Sequence, residues 1–359
     1  MRVFRRCENL LLMGVFLFLM SCDTKLLSGS NDEYRFLLDN DQDCSDEKIY
    51  VAGGVVTPTG ASRNYTTDKV YASADMENWI EVGTLPFAQT GGSMVVFNGS
   101  LFMIGGAPDP NMISANGSVF KSDDGESWDL VGALPSQVAY TVALVFNGKI
   151  WAFGGQQAGG TGPLAEVYNS SDGSNWNRAS IDSNFSARSA AAGFVYGKKI
   201  WLYSGLGSTL ASSSNVSWSS DGLNWTSAGA IASLRALPGF AIFKSVMTVV
   251  GGLNLGGSAY HDDVFRTQTG TSWTQTTAGL GSNLASNSLV VYDSALYSIG
   301  GQNGSTDNTV ASTTNAILKS TDGTTFSSWG TFPEYITGAA TAKFSAECGT
   351  GSNFREEED

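Results

Sequence analysis

Leu101-Phe-Met-Ile-Gly-Gly106 decides the fold, because the pattern returns five more times. The other copies are Ile49-Tyr-Val-Ala-Gly-Gly54, Ile150-Trp-Ala-Phe-Gly-Gly155, Ile200-Trp-Leu-Tyr-Ser-Gly205, Met247-Thr-Val-Val-Gly-Gly252 and Leu296-Tyr-Ser-Ile-Gly-Gly301. Counted at the first residue of each Gly-Gly pair (Ser204 in the fourth copy), the intervals are 52, 49, 50, 47 and 49. Self-similarity at a fixed period of this size is the signature of a repeat architecture.

A second motif follows each copy, as in Val119-Phe-Lys-Ser-Asp-Asp-Gly-Glu-Ser-Trp128 and Val167-Tyr-Asn-Ser-Ser-Asp-Gly-Ser-Asn-Trp176. The remaining copies end at Trp79, Trp225, Trp273 and Phe326. A third apolar run precedes five of the Gly-Gly segments, at 93–97, 141–146, 191–196, 240–243 and 288–292. Each unit therefore holds four short strands, A to D. Tight turns such as Asn98-Gly99, Asn147-Gly148, Gly197-Lys198 and Asp293-Ser294 join A to B, and Asp-Gly turns join C to D. The near-continuous apolar character of strand B predicts burial on both faces. The shared aspartate reads as a turn former whose carboxylate accepts backbone amides.

Hydrophobic strand, Gly-Gly, an aromatic-bearing strand and then a tryptophan resemble the kelch repeat over residues 49–345. Arg188 and Arg235 also match the arginine that often precedes strand A in such repeats. The Ser-x-Asp-Gly-x-x-Trp turn departs from many kelch repeats and is one residue shorter than the Asp-box of sialidases. The resemblance implies an all-β, six-bladed β-propeller of four-stranded blades. The first unit has B, C and D but no A, while one A-like segment, 337–345, is left over after the sixth unit. We expect that segment to serve as the innermost strand of blade 1, since an open ring would leave unpaired strand edges.

The ends carry a different message. Arg2, Arg5 and Arg6 followed by an apolar stretch at 10–20 read as an export signal, too short to span a bilayer comfortably. Leu19-Met20-Ser21-Cys22 resembles a bacterial lipobox, with residues 1–21 removed and Cys22 lipidated; an ordinary signal peptide cut nearby is the alternative. Residues 22–47 form an acidic tether, 48–348 the propeller and 349–359 an acidic tail. Cys44 and Cys348 flank the repeats and are expected to pair in an oxidising compartment. The predicted location is the bacterial cell envelope: outer membrane, cell surface or periplasmic face.

Removing residues 1–21 takes three arginines and one glutamate from 20 basic and 33 acidic residues, leaving a net charge of −15. That excludes a nucleic-acid partner, which needs a basic footprint, and electrostatic docking on anionic lipid. The membrane is reached through the lipid alone, and a monomer is expected.

Because strands alternate in direction, the A–B and C–D turns share one face. The B–C loops (55–69, 107–118, 156–166, 206–215, 253–263 and 302–316) share the other with the D–A loops. Recognition on a rigid scaffold lives on such loops, so the predicted function is a binding module for a protein or glycan. Arg63, Tyr65, Arg188, Arg235, Tyr260 and Tyr335 are its candidate contacts. No cofactor or metal is implied. The single histidine, His261, provides neither a Ser-His-Asp set nor the ligands of kelch-type copper oxidases, and the few arginines do not form a sialidase cluster. The enzymatic alternative is a sugar mutarotase or isomerase resembling the exported N-acetylneuraminate epimerase, which also uses six kelch repeats. Glu166 and Glu334 with Arg188 or Arg63 would then serve as base and anion clamp.

Overall fold

The computed structural model describes residues 46–58, 64–111, 113–160, 162–182, 184–256, 259–303 and 313–346, and the backbone of 10–13 and 16–19. Two compact units divide at Ser45 and Asp46. In the first, Leu10–Met13 and Phe16–Leu19 pair as an antiparallel hairpin. Cys22, Cys44 and Cys348 lie outside the described residues, as does Arg63. No helix among the described residues is long and apolar enough to cross a membrane.

The second unit is all-β, compatible with a propeller, and its described residues form six four-stranded antiparallel sheets. In sheets 2 to 6 the strands follow chain order. Strands A are Ser93–Phe97, Val142–Phe146, Ala192–Tyr196, Gly239–Phe243 and Ser288–Tyr292. Strands B are Ser100–Gly106, Lys149–Phe153, Lys199–Tyr203, Val246–Val250 and Ala295–Ile299. Strands C are Asn116–Ser122, Val167–Ser170, Ser213–Ser219, Asp263–Thr267 and Ala316–Ser320. Strands D are Asp129–Ala133, Asn177–Arg178, Thr226–Arg235, Thr274–Gly279 and Ser327–Thr331.

Sheet 1 comprises Ala340–Phe344, Lys48–Ala52, Lys69–Ser73 and Ile80–Thr84, with Lys48 opposite Phe344 and Ala52 opposite Ala340. Of the expected segment 337–345, residues 340–344 form the first of these strands, while Thr337 ends a separate strand, Tyr335–Thr337, that pairs with Val55–Thr57, and Gly338 (φ 65°) turns the chain between the two.

The core lies between sheets. Strand B alternates its side chains: Ile49 and Val51 pack with Tyr297 and Ile299 of sheet 6, Tyr50 and Ala52 with Met103 and Phe120 of sheet 2. Corresponding clusters join sheets 2 and 3, 3 and 4, 4 and 5, and 5 and 6.

All five A–B turns carry two successive residues at positive φ, including Lys244 (51°) and Ser245 (54°), where neither Asn nor Gly marks the turn. Mirror-image turns of this kind match the right-handed twist of hairpin strands. The Gly-Gly pair has a separate reason. Gly154 sits at φ 61°, and a Cβ there would lie 2.1 Å from the Arg188 carbonyl, which accepts the Gly155 amide at 2.9 Å.

The Ser-x-Asp-Gly turns are also self-consistent. Asp172 Oδ1 accepts the amides of Ser174 and Asn175 at 2.8 Å, and Ser170 Oγ accepts that of Gly173. Trp176 Nε1 donates to the Gly173 carbonyl at 2.9 Å. Similar bonds hold Asp75, where donation from the Asn78 side chain and then from backbone amides draws its pKa down to about 2. In the five turns that have one, the glycine is a socket for an aromatic ring of the preceding sheet: a Cβ on Gly173 would lie 2.1 Å from the Phe102 ring, and one on Gly222 or Gly270 would meet Trp151 or Trp201.

Candidate functional site

The D–A connections end in six residues at one equivalent position: Gly91, Tyr140, Ala190, Leu237, Ser286 and Gly338. Each has φ between 53° and 65°. The amide of each donates to the carbonyl of its predecessor (Tyr140 to Gly91, Ala190 to Tyr140, Leu237 to Ala190, Ser286 to Leu237, Gly338 to Ser286), and Gly91 donates to Gly338 at 3.0 Å. The last bond returns to the first. Just before this ring, Thr90, Ala139, Ser189, Ala236 and Ala285 bridge to the residue after each Gly-Gly segment, so the D–A and B–C connections meet on one face.

Two cavities share this ring. One, of about 140 Å³, runs along the starts of the innermost strands and is lined by residues in or just before the first strand of each sheet, among them Met94, Val142, Ala191, Phe240, Asn287 and Ala340. The other, of about 260 Å³, opens among the B–C loops and adds Pro110, Asn111, Leu255 and Gln302. Tyr140, Leu237, Ser286 and Gly338 line both.

Local structure fixes the rim. The Asp109 carboxylate accepts the amides of Asn111, Ile113 and Ser114, shaping the loop that presents Asn111. Burial works against the ionised Asp109, yet these donors hold its pKa below the usual carboxylate value. Leu253–Asn254 and Ala259–Tyr260 form a short hairpin, with Ser212 Oγ accepting the Leu255 amide at 3.0 Å. Gln302 Nε2 donates to Tyr260 Oη at 2.9 Å. The Tyr140 ring lies over Gly91, where a Cβ would come within 2.7 Å of it. Burial pushes the Tyr140 phenol up, against the opposing hydrogen bond with Thr90 and with a smaller contribution from the charge of Asp109, and keeps it neutral.

The residues expected from sequence fall into three groups. Tyr65 and Tyr335 are exposed (48% and 38%) on the small sheet that also contains the cavity-lining Val55. Tyr260 reaches the cavity wall through Gln302. Arg188 and Arg235 are buried. Arg235 has no exposed surface, pairs with Asp263 at 2.9 Å, donates to the Gly251 carbonyl at 2.6 Å and stacks on Phe265. Arg188 bonds Ser186 and Ser217, and burial lowers its pKa to about 10.

Glu166 and Glu334 are not brought together with Arg188. Glu166 accepts from Tyr168, Ser136 and Arg178 beside sheet 3. Glu334 pairs at 2.9 Å with Lys69 of sheet 1, and this bond raises the ammonium pKa. The lone histidine, His261, is partly buried, and burial lowers its pKa.

Tyr140, Leu237 and Asn111 were not expected from sequence. Their signal is positional: Tyr and Leu stand where Gly, Ala and Ser occupy the other four ring positions. No protein-family model matches this chain, and no curated protein sequence matches it. The geometry of the loop face carries the functional reading.

Proposed function

We propose that this chain is an exported recognition module, anchored to the cell envelope by lipid on Cys22, whose kelch-like propeller binds a protein or glycan on its loop face. The six sheets are its blades, and Ala340–Phe344 completes the first of them. A Cys44–Cys348 disulfide staples that seam.

The observation that carries the reading is at the mouth. Left-handed backbone disfavours side chains with a Cβ, and bulky residues persist there only when the surroundings enforce it, as at ligand sites. Tyr140 (φ 54°) and Leu237 (φ 53°) occupy such positions, and both line the cavities. The rigid ring of hydrogen bonds beneath them supports pre-organised binding.

The test is a glycan array and affinity capture with the full chain, alongside Tyr140→Gly and a control at Trp329 on an outer strand. Binding lost in the first and kept in the second supports the reading; binding indifferent to both refutes the site. Fatty-acid labelling that survives Cys22→Ser would refute the anchor.

A further inference from the structure

The mouth has a chemical character that narrows what it takes. Among the described residues lining the 260 Å³ cavity, none carries a charged side chain. Its polar groups are the amides of Asn111 and Gln302, the Tyr140 phenol and hydroxyls such as Thr90 and Ser286, set against the apolar walls of Leu237 and Leu255. Small-ligand sites combine apolar and aromatic walls with a few placed polar groups, over about 300–1,000 Å³ for drug-sized ligands. A cavity of 260 Å³ suits one compact unit such as a sugar ring.

We infer that this mouth binds the neutral end of a glycan, with the Tyr140 ring as the apolar platform and the Asn111 and Gln302 amides as partners for sugar hydroxyls. The inference rests on the loop-face reading above and deepens it. Acidic sugars are disfavoured for two reasons. The described lining offers no cation to a carboxylate, since Arg235 is buried against Asp263 and Arg188 among serines. The Asp109 carboxylate accepts the Asn111 amide at 3.1 Å and so stands beside the cavity wall, in a chain already strongly acidic. A buried or half-buried carboxylate without a cationic partner loses its hydration uncompensated.

The Tyr140 side chain also packs against the small clusters around Ala139 and Ala236, so its removal needs a backbone the fold already accepts. Glycine stands at two of the six equivalent positions, Gly91 and Gly338, so Tyr140→Gly keeps the ring geometry and removes the platform. Asn111→Ala, in a loop held through Asp109 and backbone amides, is a second variant that leaves the core untouched.

The experiment is ligand-observed NMR on the full chain with methyl glycosides of neutral hexoses and N-acetylhexosamines, and with N-acetylneuraminic acid as the acidic probe. The expected result is saturation transfer to a neutral glycoside, weakened about tenfold or more by Tyr140→Gly, as for a central contact residue, and reduced by Asn111→Ala, with no transfer to the acid. Transfer to the acid as strong as to neutral sugars overturns the inference and leaves the recognition reading standing. So does silence with every sugar while a purified protein ligand is bound by the parent and lost in Tyr140→Gly. If neither sugar nor protein binding responds to either variant, both readings fall.

Discussion

Ser204→Gly should stabilise the protein by about 1–2 kcal/mol. Ser204 stands where five of the six repeats have the first glycine of the pair, and it holds the same left-handed conformation, φ 54°. For a residue with a Cβ that conformation costs roughly 1–2 kcal/mol, which glycine does not incur. The Ser204 hydroxyl is buried with no hydrogen-bond partner. Leaving such a group unsatisfied costs about 1–3 kcal/mol. Against these gains, glycine loses about 0.4–1 kcal/mol through the greater freedom of the unfolded chain. Taking the low end of both gains leaves a net gain of about 1–2 kcal/mol. Urea denaturation followed by tryptophan fluorescence reads the effect as a higher midpoint at unchanged slope. A variant less stable than the parent would show that the Ser204 side chain makes a stabilising interaction that outweighs its backbone strain.

Other outcomes follow from the same physics. Gly173→Ala places a methyl against the Phe102 ring at φ 79°, and should lose about 2–4 kcal/mol by thermal denaturation. Arg235→Met strands Asp263 and should cost about 3–5 kcal/mol, whereas Arg188→Met strands no carboxylate, only neutral acceptors, and should cost about 1–3 kcal/mol; a larger loss in Arg188→Met than in Arg235→Met would contradict the assigned partners. The turn carboxylates give a pH signature. Asp75 and Asp221 titrate in the native state at about 2, below their ordinary value of 3.8. In Asp75 the lead cause is the Asn78 side chain; in Asp221 burial opposes the shift and the amide and side chain of Asn224 outweigh it. A depressed folded pKa contributes stability above the unfolded value that is lost as pH falls through the folded one. Stability should therefore decline from about pH 4 towards pH 2, and Asp75→Asn with Asp221→Asn should flatten that decline.

Much of the architecture could be read from the chain because each repeat restates it. The Gly-Gly segments, the Ser-x-Asp-Gly turns and Asn98-Gly99 each impose a local conformation, so their residues announce their structure. Lys244-Ser245 adopts the same turn without either marker, because the flanking strands of sheet 5 enforce it. The run through Gly338 read as one strand, yet Thr337 pairs with Val55 while Ala340 pairs with Ala52; the apolar pattern is continuous across a break that only backbone geometry makes. Strand B aromatics such as Phe102 were visible as a pattern, but their sockets lie in the next repeat and emerge only from packing.

The site was less legible. Tyr65, Tyr260 and Tyr335 could be placed near the loop face because exposed aromatics in loops are few. Arg235 looked equally available, and its burial depends on Asp263, which is 28 residues away in sequence. Tyr140 and Leu237 acquire meaning only when six D–A connections converge. No local pattern encodes that convergence.

The mouth exists only if the six connections converge, and amide hydrogen exchange tests that directly. The amides of Gly91, Tyr140, Ala190, Leu237, Ser286 and Gly338 should show matched, slow exchange, with Ala340–Phe344 protected to the same degree as Lys48–Ala52. Fast exchange at Gly338 and through residues 340–344, with the strands of sheets 2 to 6 still protected, would mean that the ring is open and that the mouth is not the rigid site described.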